Sequence, residues 1–346
     1  MRRLTHDRCV GQGHALPIEA RQNGGPVYRS ARQGGDGLRC DRQGVRSRGL
    51  YPKLTHRTLA FLLTTTLLAA ADLTIDHVTV AGTDLQQMQS RLAALGIPIE
   101  FGGPHSNGAT QMAITSFPDG SYLELIAPQQ NPDQKALAAH YWSKQMLGNA
   151  GPAAWAVRAS DLAAEAGRLR SAGIAVTSPS RSGRKRPDGT VLDWETAQIG
   201  AEPNGTFFPF LIHDFTPREN RMFTRGRPTA EHFNGVKLVV IAVRDLKASI
   251  ARYRQAYGLG PAIEQNDASF GARLASFAGT PVILASPSGL QSWLVPRIER
   301  FGEGPCAFVL GSTEAHPNAA SKSRWFGVEI SWFDPEKLGW RLGVEK

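Results

Sequence analysis

A histidine stands in the middle of a segment that is otherwise typical of a β-strand. Residues 73–82 read LTIDHVTVAG, in which aliphatic and β-branched residues surround His77. Strand alternation predicts that His77 shares one face with Ile75 and Thr79. The segment alone leaves three interpretations of this imidazole open: a core histidine satisfied by one hydrogen bond, a metal ligand, or an acid–base group.

A glutamate occupies a similar position in a later segment. Residues 122–128 read YLELIAP, and alternation places Tyr122, Glu124 and Ile126 on one face. A carboxylate among aliphatic residues is costly to bury unless it has a partner. Glu124 is therefore a second candidate for acid–base chemistry or for metal binding.

The elements that must position these side chains form an internal repeat. The segment that begins at Ile75 aligns without a gap with the one that begins at Pro152, and more loosely with one that begins at Val236. Each copy has a strand and then a helix of about twelve residues, which an aspartate opens and a glycine ends. The aspartates are Asp84, Asp161 and Asp245, and the glycines are Gly96, Gly173 and Gly258.

Three strand-like runs follow each helix, so the repeated unit is strand–helix–strand–strand–strand. In the first copy, Pro-Asp-Gly at 118–120 joins the last two runs as a tight hairpin turn. A fourth, less regular copy lies between residues 305 and 335. The pattern predicts an α+β fold built from tandem βαβββ modules in two pairs.

The basic residues are concentrated near the N-terminus. The chain has 346 residues, with 39 Lys and Arg against 30 Asp and Glu, and residues 1–71 contain 12 of the former and 4 of the latter. The remainder, with 27 basic and 26 acidic residues, is nearly neutral. The body of the chain therefore lacks the basic excess of a nucleic-acid-binding protein, and no nucleic-acid partner is predicted.

The N-terminal region predicts two segments outside any folded domain. Residues 1–50 are rich in Gly, Arg, Gln and Ser, which predicts disorder. Residues 51–71 place basic residues before an apolar run and end in small residues, the layout of a secretory signal peptide. Its position far from the first residue suggests that translation begins near Leu50 or Tyr51 and that residues 1–50 are an over-extended reading. We therefore expect a secreted or periplasmic protein. A stable membrane anchor is not expected, because the apolar run is shorter than the roughly 20 residues of a membrane span.

Composition also indicates the domain limits. Cys306 is the single cysteine beyond residue 71, so no intramolecular disulfide is expected once the leader is removed. A polar segment with two prolines separates the two pairs of modules. The predicted organisation is a disordered N-terminus (1–50), a signal peptide (51–71), a first domain of two modules (72–215), a linker (216–235) and a second, degenerate domain (236–346).

These motifs resemble the glyoxalase-like domain family of the vicinal-oxygen-chelate superfamily. The resemblance rests on DHVTVAGTDL, GGPHSNGATQMAITSFPDGSYLELIAP, RPDGTVLDW and FFPFLIHDF. It extends over residues 73–215 and, more loosely, over residues 236–333. It implies curved mixed sheets that enclose a cleft and, in many members, a divalent metal held by residues on the first and last strands of each module.

The resemblance places His77 and Glu124 at the ligand positions of the first module. An imidazole and a carboxylate suit Fe(II), Mn(II), Ni(II) or Zn(II). The equivalent positions of the second module hold Ala154 and Phe210, so two of the usual ligands are missing. Zinc sites normally use three or four protein ligands.

Two outcomes remain open for this pair. Either His105, His213 or Glu195 completes the metal site, or the metal has been lost. In the second case His77 and Glu124 persist as a hydrogen-bonded acid–base or binding pair.

Five residues are candidates for binding the substrate. His105 lies in the glycine-rich loop GGPHSNG, and Arg186 closes the basic loop segment RSGRKR, where an arginine can hold a carboxylate or phosphate through two hydrogen bonds. Trp194 and Phe210 alternate with polar residues and can form an apolar wall, and His213 follows at a strand end. For each of them a purely structural role is the alternative.

We therefore expect a secreted glyoxalase-like protein that binds a small oxygen-bearing substrate in the cleft. Glu124 and His77 are the predicted catalytic residues, and a bound metal would act as a Lewis acid in a lyase, dioxygenase or isomerase reaction. The alternative is a non-catalytic protein that sequesters a small molecule and has lost the metal. The predicted partners are the small molecule and a second copy of the chain in a homodimer, and the second domain would cover the first or mediate this contact.

Overall fold

The structure, a computed structural model, describes residues 73–186, 188–314 and 319–346. The strands of these residues form two eight-stranded sheets. The first sheet comprises β1 (Ile75–Ala81), β2 (Glu100–Pro104), β3 (Thr110–Ser116), β4 (Tyr122–Pro128), β5 (Gly151–Arg158), β6 (Ser180–Lys185), β7 (Val191–Ala197) and β8 (Phe210–Asp214). The second comprises β9 (Phe233–Ala242), β10 (Ile263–Asp267), β11 (Ala272–Ser276), β12 (Val282–Pro287), β13 (Gly304–Ser312), β14 (Ala319–Trp325), β15 (Val328–Phe333) and β16 (Arg341–Glu345). All described residues belong to one compact unit of the chain. The predicted disordered N-terminus and signal peptide lie outside the described residues.

The order of strands shows the module pairs directly. The first sheet runs β2-β3-β4-β1-β5-β8-β7-β6, in which β1 is parallel to β4 and antiparallel to β5. The second sheet repeats this arrangement with β9 parallel to β12 and antiparallel to β13. Each sheet is mixed and curled, and two successive modules meet at its centre. The predicted α+β class with tandem modules in two pairs is confirmed.

Eight helices connect the described strands: α1 (Leu85–Ala93), α2 (Gln134–Ala139), α3 (Ser143–Leu147), α4 (Leu162–Ser171), α5 (Arg218–Met222), α6 (Leu246–Tyr257), α7 (Leu294–Phe301) and α8 (Pro335–Leu338). The predicted N-terminal caps of α1, α4 and α6 are confirmed, whereas a glycine is the C-terminal cap of α6 but not of α1 or α4, whose C-terminal caps are Ala94 and Ala172. Asp84, Asp161 and Asp245 each accept a backbone N–H at 2.9–3.0 Å. None of the helices in the described ranges is long and apolar enough to cross a membrane.

Two segments differ from their sequence-based expectation. The basic segment expected as a loop forms β6, an edge strand that pairs antiparallel with β7 from Ser180 to Lys185. The segment 216–235, predicted as a linker, contains α5 and the beginning of β9. Both segments therefore belong to the folded structure. The arginine side chains of α5 contact β1.

The largest apolar core joins the two sheets. It contains Val78, Leu123 and Trp155 from the first sheet and Val239 and Phe308 from the second, all fully buried. One face of each sheet packs into this shared core. The chemistry of the other face then distinguishes the two halves.

Aromatic side chains fill the other face of the second sheet. Phe270 contacts Trp325 and Trp332, with ring centroids 4.9 and 5.1 Å apart. Cys306 is buried in the same cluster, and burial raises the pKa of its thiol to about 12. The second half therefore has a packed core at the place where the first half has a cavity.

Candidate functional site

A cavity of about 240 Å³ opens on the face of the first sheet that the shared core leaves uncovered. This volume lies below the roughly 300–1,000 Å³ of sites for drug-sized ligands, so it suits a small molecule. The structure brings five predicted site residues to its wall: His77, His105, Glu124, Trp194 and Phe210. They come from four strands and one loop of both modules.

A β-bulge in β1 determines how His77 is presented. Asp76 is inserted in the pairing with β5, so Asp76 and His77 together face Ala156. Because the bulge adds one residue, the side chains before it point to the opposite face from the one that regular alternation predicts. Ile75 consequently packs in the shared core with Val78, and not on the face of His77 as alternation predicted.

The same bulge brings the side chains of two consecutive residues together. His77 Nδ1 lies 2.6 Å from Asp76 Oδ1. Because a carboxylate accepts hydrogen bonds, the ring proton of neutral His77 is on Nδ1, and Nε2 retains a lone pair. The imidazole stacks on the Tyr122 ring at 4.6 Å, which fixes its plane.

A buried network of charges holds Asp76 in place. Arg221 of α5 donates to both carboxylate oxygens of Asp76 at 3.0 Å, and Arg218 donates to Oδ2 at 2.8 Å. Arg221 also pairs with Asp214 at the end of β8. Burial alone would raise the pKa of Asp76, but the charge of Arg221, the hydrogen bond with His77 and the charge of Arg218 together hold it well below 3.8. Asp76 is therefore a permanent acceptor for His77.

Glu124 lies between two imidazoles. Its Oε2 atom is 3.9 Å from His77 Nε2 and accepts a hydrogen bond of 3.2 Å from Thr79 Oγ1. Its Oε1 atom is 3.7 Å from His105 Nε2. The side chain is about nine-tenths buried, as expected for a carboxylate with partners on both oxygens.

His105 reaches this carboxylate from the loop between β2 and β3. Its Nδ1 atom lies 2.8 Å from Thr110 Oγ1, which accepts a hydrogen bond from Asn107 Nδ2 and so can donate its own proton to the ring. When Thr110 donates to Nδ1, the proton of the neutral ring is on Nε2, facing Glu124. Burial lowers the pKa of His105, Glu124 raises it and Arg184 lowers it, with a net decrease below 6.5.

His140 is a cavity residue that sequence reasoning missed. It lies in the short connection between α2 and α3, where neither strand alternation nor helical periodicity marks a functional face. The backbone N–H of Trp142 donates to His140 Nδ1 at 3.1 Å, which leaves the proton of the neutral ring on Nε2. Burial, with the nearby His105, lowers its pKa from 6.5 to about 4. His140 is therefore a neutral hydrogen-bond donor at pH 7.

Two predicted substrate-binding residues lie outside the cavity. Arg186 donates to the backbone carbonyls of Asn220 and Thr224 and pairs with Asp188. His213 contacts the carbonyl oxygen of Ala159 through Nδ1 at 2.9 Å. Both side chains are satisfied by neighbouring protein groups and are not part of the cavity wall.

Arg184 lines the cavity instead of Arg186. Because the basic segment is a strand, alternate residues face the same side, and Ser182 and Arg184 point toward the cavity. The same alternation on β7 directs Trp194 and Thr196 inward, with Glu195 between them outside the wall. Because a loop was predicted for residues 181–186, strand alternation did not identify Arg184 as an inward-facing residue.

The donors around Glu124 do not form a metal site as they are arranged. Zinc and related ions require three or four ligands about 2.0–2.2 Å from one point. Here His77 and His105 approach opposite oxygens of one carboxylate at 3.9 and 3.7 Å. Among the described residues no group of three His, Cys, Asp or Glu side chains could hold a metal ion. The residues present therefore do not fit a resident metal, and a metal at His77 and Glu124 stays a prediction.

The chain is similar to one described family and to several proteins of known structure. Residues 75–238 match the family described as the glyoxalase-like domain. A hypothetical protein from Staphylococcus aureus has a similar fold, with a TM-score of 0.56, 14% identity, and coverage of 79% of this chain and 98% of that chain. Methylmalonyl-CoA epimerase from Mycobacterium tuberculosis is similar over 33% of this chain and 88% of its own, with a TM-score of 0.30 and 19% identity. A mutant of 4-hydroxymandelate synthase from Streptomyces coelicolor covers 70% of this chain and 71% of its own, with a TM-score of 0.46 and 13% identity. No curated protein matches the chain.

Proposed function

We propose that this protein is an isomerase- or lyase-type enzyme that moves a proton on a small carbonyl compound. The premise is that the chain carries a glyoxalase-like domain over residues 75–238. The family recognised in the sequence is thus confirmed, and the reaction is our proposal. The observation that supports it is the position of Glu124, a largely buried carboxylate between His77 and His105 in a small cavity.

Glu124 is the proposed base. Its carboxylate removes a proton from the carbon next to the carbonyl group of the substrate, and the electron pair of the broken C–H bond forms an enolate. The N–H groups of neutral His105 and His140 donate to the enolate oxygen, where negative charge develops. Return of the proton to the same carbon or to a neighbouring one completes an epimerisation or isomerisation, and loss of a leaving group completes an elimination.

His77 has a separate part in this proposal. Its Nε2 lone pair lies 3.9 Å from Glu124, and the Asp76 carboxylate stabilises the imidazolium that forms if the proton moves to the ring. His77 can therefore receive the proton from Glu124, or it can exchange a proton with the substrate from a different side of the cavity. The two predicted catalytic residues would then act as an acid–base pair.

Exchange of carbon-bound protons in D₂O tests this function without knowledge of the natural substrate. The full chain is incubated with a panel of small aldehydes, ketones and 2-oxo acids, and deuterium uptake is followed by NMR. We expect exchange above the buffer rate for at least one compound, and a decrease of about 10²- to 10⁴-fold in Glu124→Gln. Glu195→Gln, which changes a glutamate outside the cavity wall, is the matched control. Exchange that is absent from the whole panel, or unchanged in Glu124→Gln, contradicts the proposal.

A non-catalytic binding protein is the second candidate. Trp194 and Phe210 supply aromatic surface to the cavity, and among the described residues no group of three potential ligands is arranged to hold a metal ion. These features suit retention of a small molecule without turnover. Tight binding of a compound whose protons do not exchange would favour this function.

The site of action and the oligomeric state are also proposals. The leader-like composition of residues 51–71 supports export, and N-terminal sequencing of the native protein tests it, because an exported chain would begin near Asp72. A homodimer is proposed from the degenerate second half, and sedimentation of the purified chain tests it.

A further inference from the structure

The cavity contains two opposite charges that do not touch. Glu124 carries the carboxylate described above, and Arg184 faces the same space from β6. The described residues form no ion pair with Arg184, whose one protein hydrogen bond goes from Nη1 to the backbone carbonyl of Gly102 at 2.5 Å. A bound molecule can therefore lie between a cation at one end and a base at the other.

Arg184 differs in this respect from the other arginine of the cavity. Arg221 is neutralised by Asp76 and Asp214. Arg184 is largely buried, and among the described residues the Gly102 carbonyl is the one hydrogen-bond acceptor of its guanidinium group. A partly desolvated cation of this kind gains more from an anionic ligand than a fully hydrated one does.

From this geometry we infer that the substrate is a small carboxylate, whose carboxylate group is bound by Arg184 while its reacting carbon faces Glu124. The inference rests on the proposed function and names the substrate class of the same site. A carboxylate matches one guanidinium through two parallel hydrogen bonds. A phosphate ester, with up to two negative charges, fits less well beside the Glu124 carboxylate.

The environment of Arg184 agrees with this assignment. Burial lowers the pKa of Arg184, and the nearby Arg186 and Arg221 lower it further, although Tyr122 and Glu124 act in the opposite direction. Its charged form is therefore incompletely stabilised by the protein. Trp194 and Phe210 provide an apolar surface for the rest of a small organic acid.

Calorimetric binding of three matched probes tests the inference on the full chain. Phenylacetate, phenylacetamide and phenyl phosphate share an aromatic body and differ in the charge of the polar group. We expect phenylacetate to bind about 10- to 100-fold more tightly than phenylacetamide, the range expected for a charged hydrogen-bonded pair. Arg184→Gln should remove this preference, and Arg184→Lys should retain part of it. Arg181→Gln, which removes an exposed arginine from the same strand, should leave it unchanged.

Equal binding of phenylacetate and phenylacetamide, or a preference that persists in Arg184→Gln, overturns the inference. Tighter binding of phenyl phosphate than of phenylacetate overturns the choice of a carboxylate. Glu124→Gln separates this test from that of the proposed function, since loss of the base should slow proton exchange by about 10²- to 10⁴-fold while the probe preference remains. A preference for phenylacetate in a protein that catalyses no exchange would support the binding mode and contradict the reaction.

Discussion

Nδ1 of His77 lies 2.6 Å from Oδ1 of Asp76, although consecutive residues of a regular strand point to opposite faces. The bulge in β1 makes this contact possible, because it places both residues opposite Ala156. The contact orients the imidazole with its Nε2 atom toward Glu124. It also joins the cavity to the arginines of α5, which belongs to the segment between the two module pairs.

Asp76→Asn is expected to destabilise the protein and to impair proton transfer. The variant removes the carboxylate partner of Arg218 and one of the two carboxylate partners of Arg221, which costs about 3–5 kcal/mol of unfolding free energy. Asparagine also has a single acceptor oxygen, and with its NH₂ group facing His77 the ring proton moves from Nδ1 to Nε2. Urea unfolding at pH 7 and the rate of deuterium exchange measure the two effects. Asp193→Asn breaks only the exposed pair with Arg181 and should have a much smaller effect on both.

Acid should remove the contribution of Asp76 to stability. The pKa of Asp76 in the folded protein lies well below that of the unfolded chain, which is about 3.9. The stabilisation is therefore complete above pH 4 and is lost as the pH falls toward the folded-state pKa. Unfolding free energies at pH 5 and pH 3 should show a smaller decrease for Asp76→Asn than for the wild type. Parallel pH profiles for the two proteins would contradict this assignment.

His140 should make stability depend on pH in a higher range. Its pKa is about 4 in the folded protein against 6.5 for the ordinary group, so the unfolded state binds more protons between these values. The contribution of neutral His140 is complete above pH 6.5 and is lost as the pH falls to about 4. His140→Gln should therefore flatten the stability profile between pH 4 and 6.5, as measured by urea unfolding. His232→Gln changes an exposed histidine and should leave the profile as it is.

Purified wild-type protein should contain less than one equivalent of divalent metal. The reason is that His77 and His105 lie on opposite oxygens of Glu124, and that no group of three potential ligands in the described part of the chain could hold a metal ion. Elemental analysis after expression with added Fe, Mn, Ni or Zn checks this expectation, together with the shift in melting temperature on metal addition. One bound equivalent that disappears in both His77→Ala and Glu124→Ala would establish the metal site predicted from the sequence.

Phe270→Ala tests the structural role of the second half. Phe270 is buried among three tryptophans, so its removal should leave a cavity and cost about 3–5 kcal/mol. The rate of deuterium exchange should not change, because the cavity with Glu124 belongs to the other sheet. Leu290→Ala is the control, since this leucine is 90% exposed and the substitution should stay within about 0.5 kcal/mol. A large change in exchange with intact folding would show that the second half acts on the site.

The site was partly predictable because strand alternation is a local property. Alternation on β4 placed Tyr122, Glu124 and Ile126 on one face, and all three line the cavity. Arg184 and His140 were missed for a related reason. The strand character of residues 180–185 depends on pairing with β7, and the connection between α2 and α3 has no periodicity that marks an inward side.

The sequence by itself determined the repeat, the α+β class, the capping aspartates and the candidates His77 and Glu124, because these depend on short-range patterns of hydrophobicity, backbone freedom and capping. The tertiary structure alone decided which charged groups meet. The entry of Arg184 in place of Arg186 depends on the pairing of β6 with β7. The bulge at Asp76 and the contact of Arg221 with Asp76 depend on pairings between residues about 80 and 145 positions apart. Such pairings arise when sheets curl and pack around a shared core, and no local pattern of residue types specifies them.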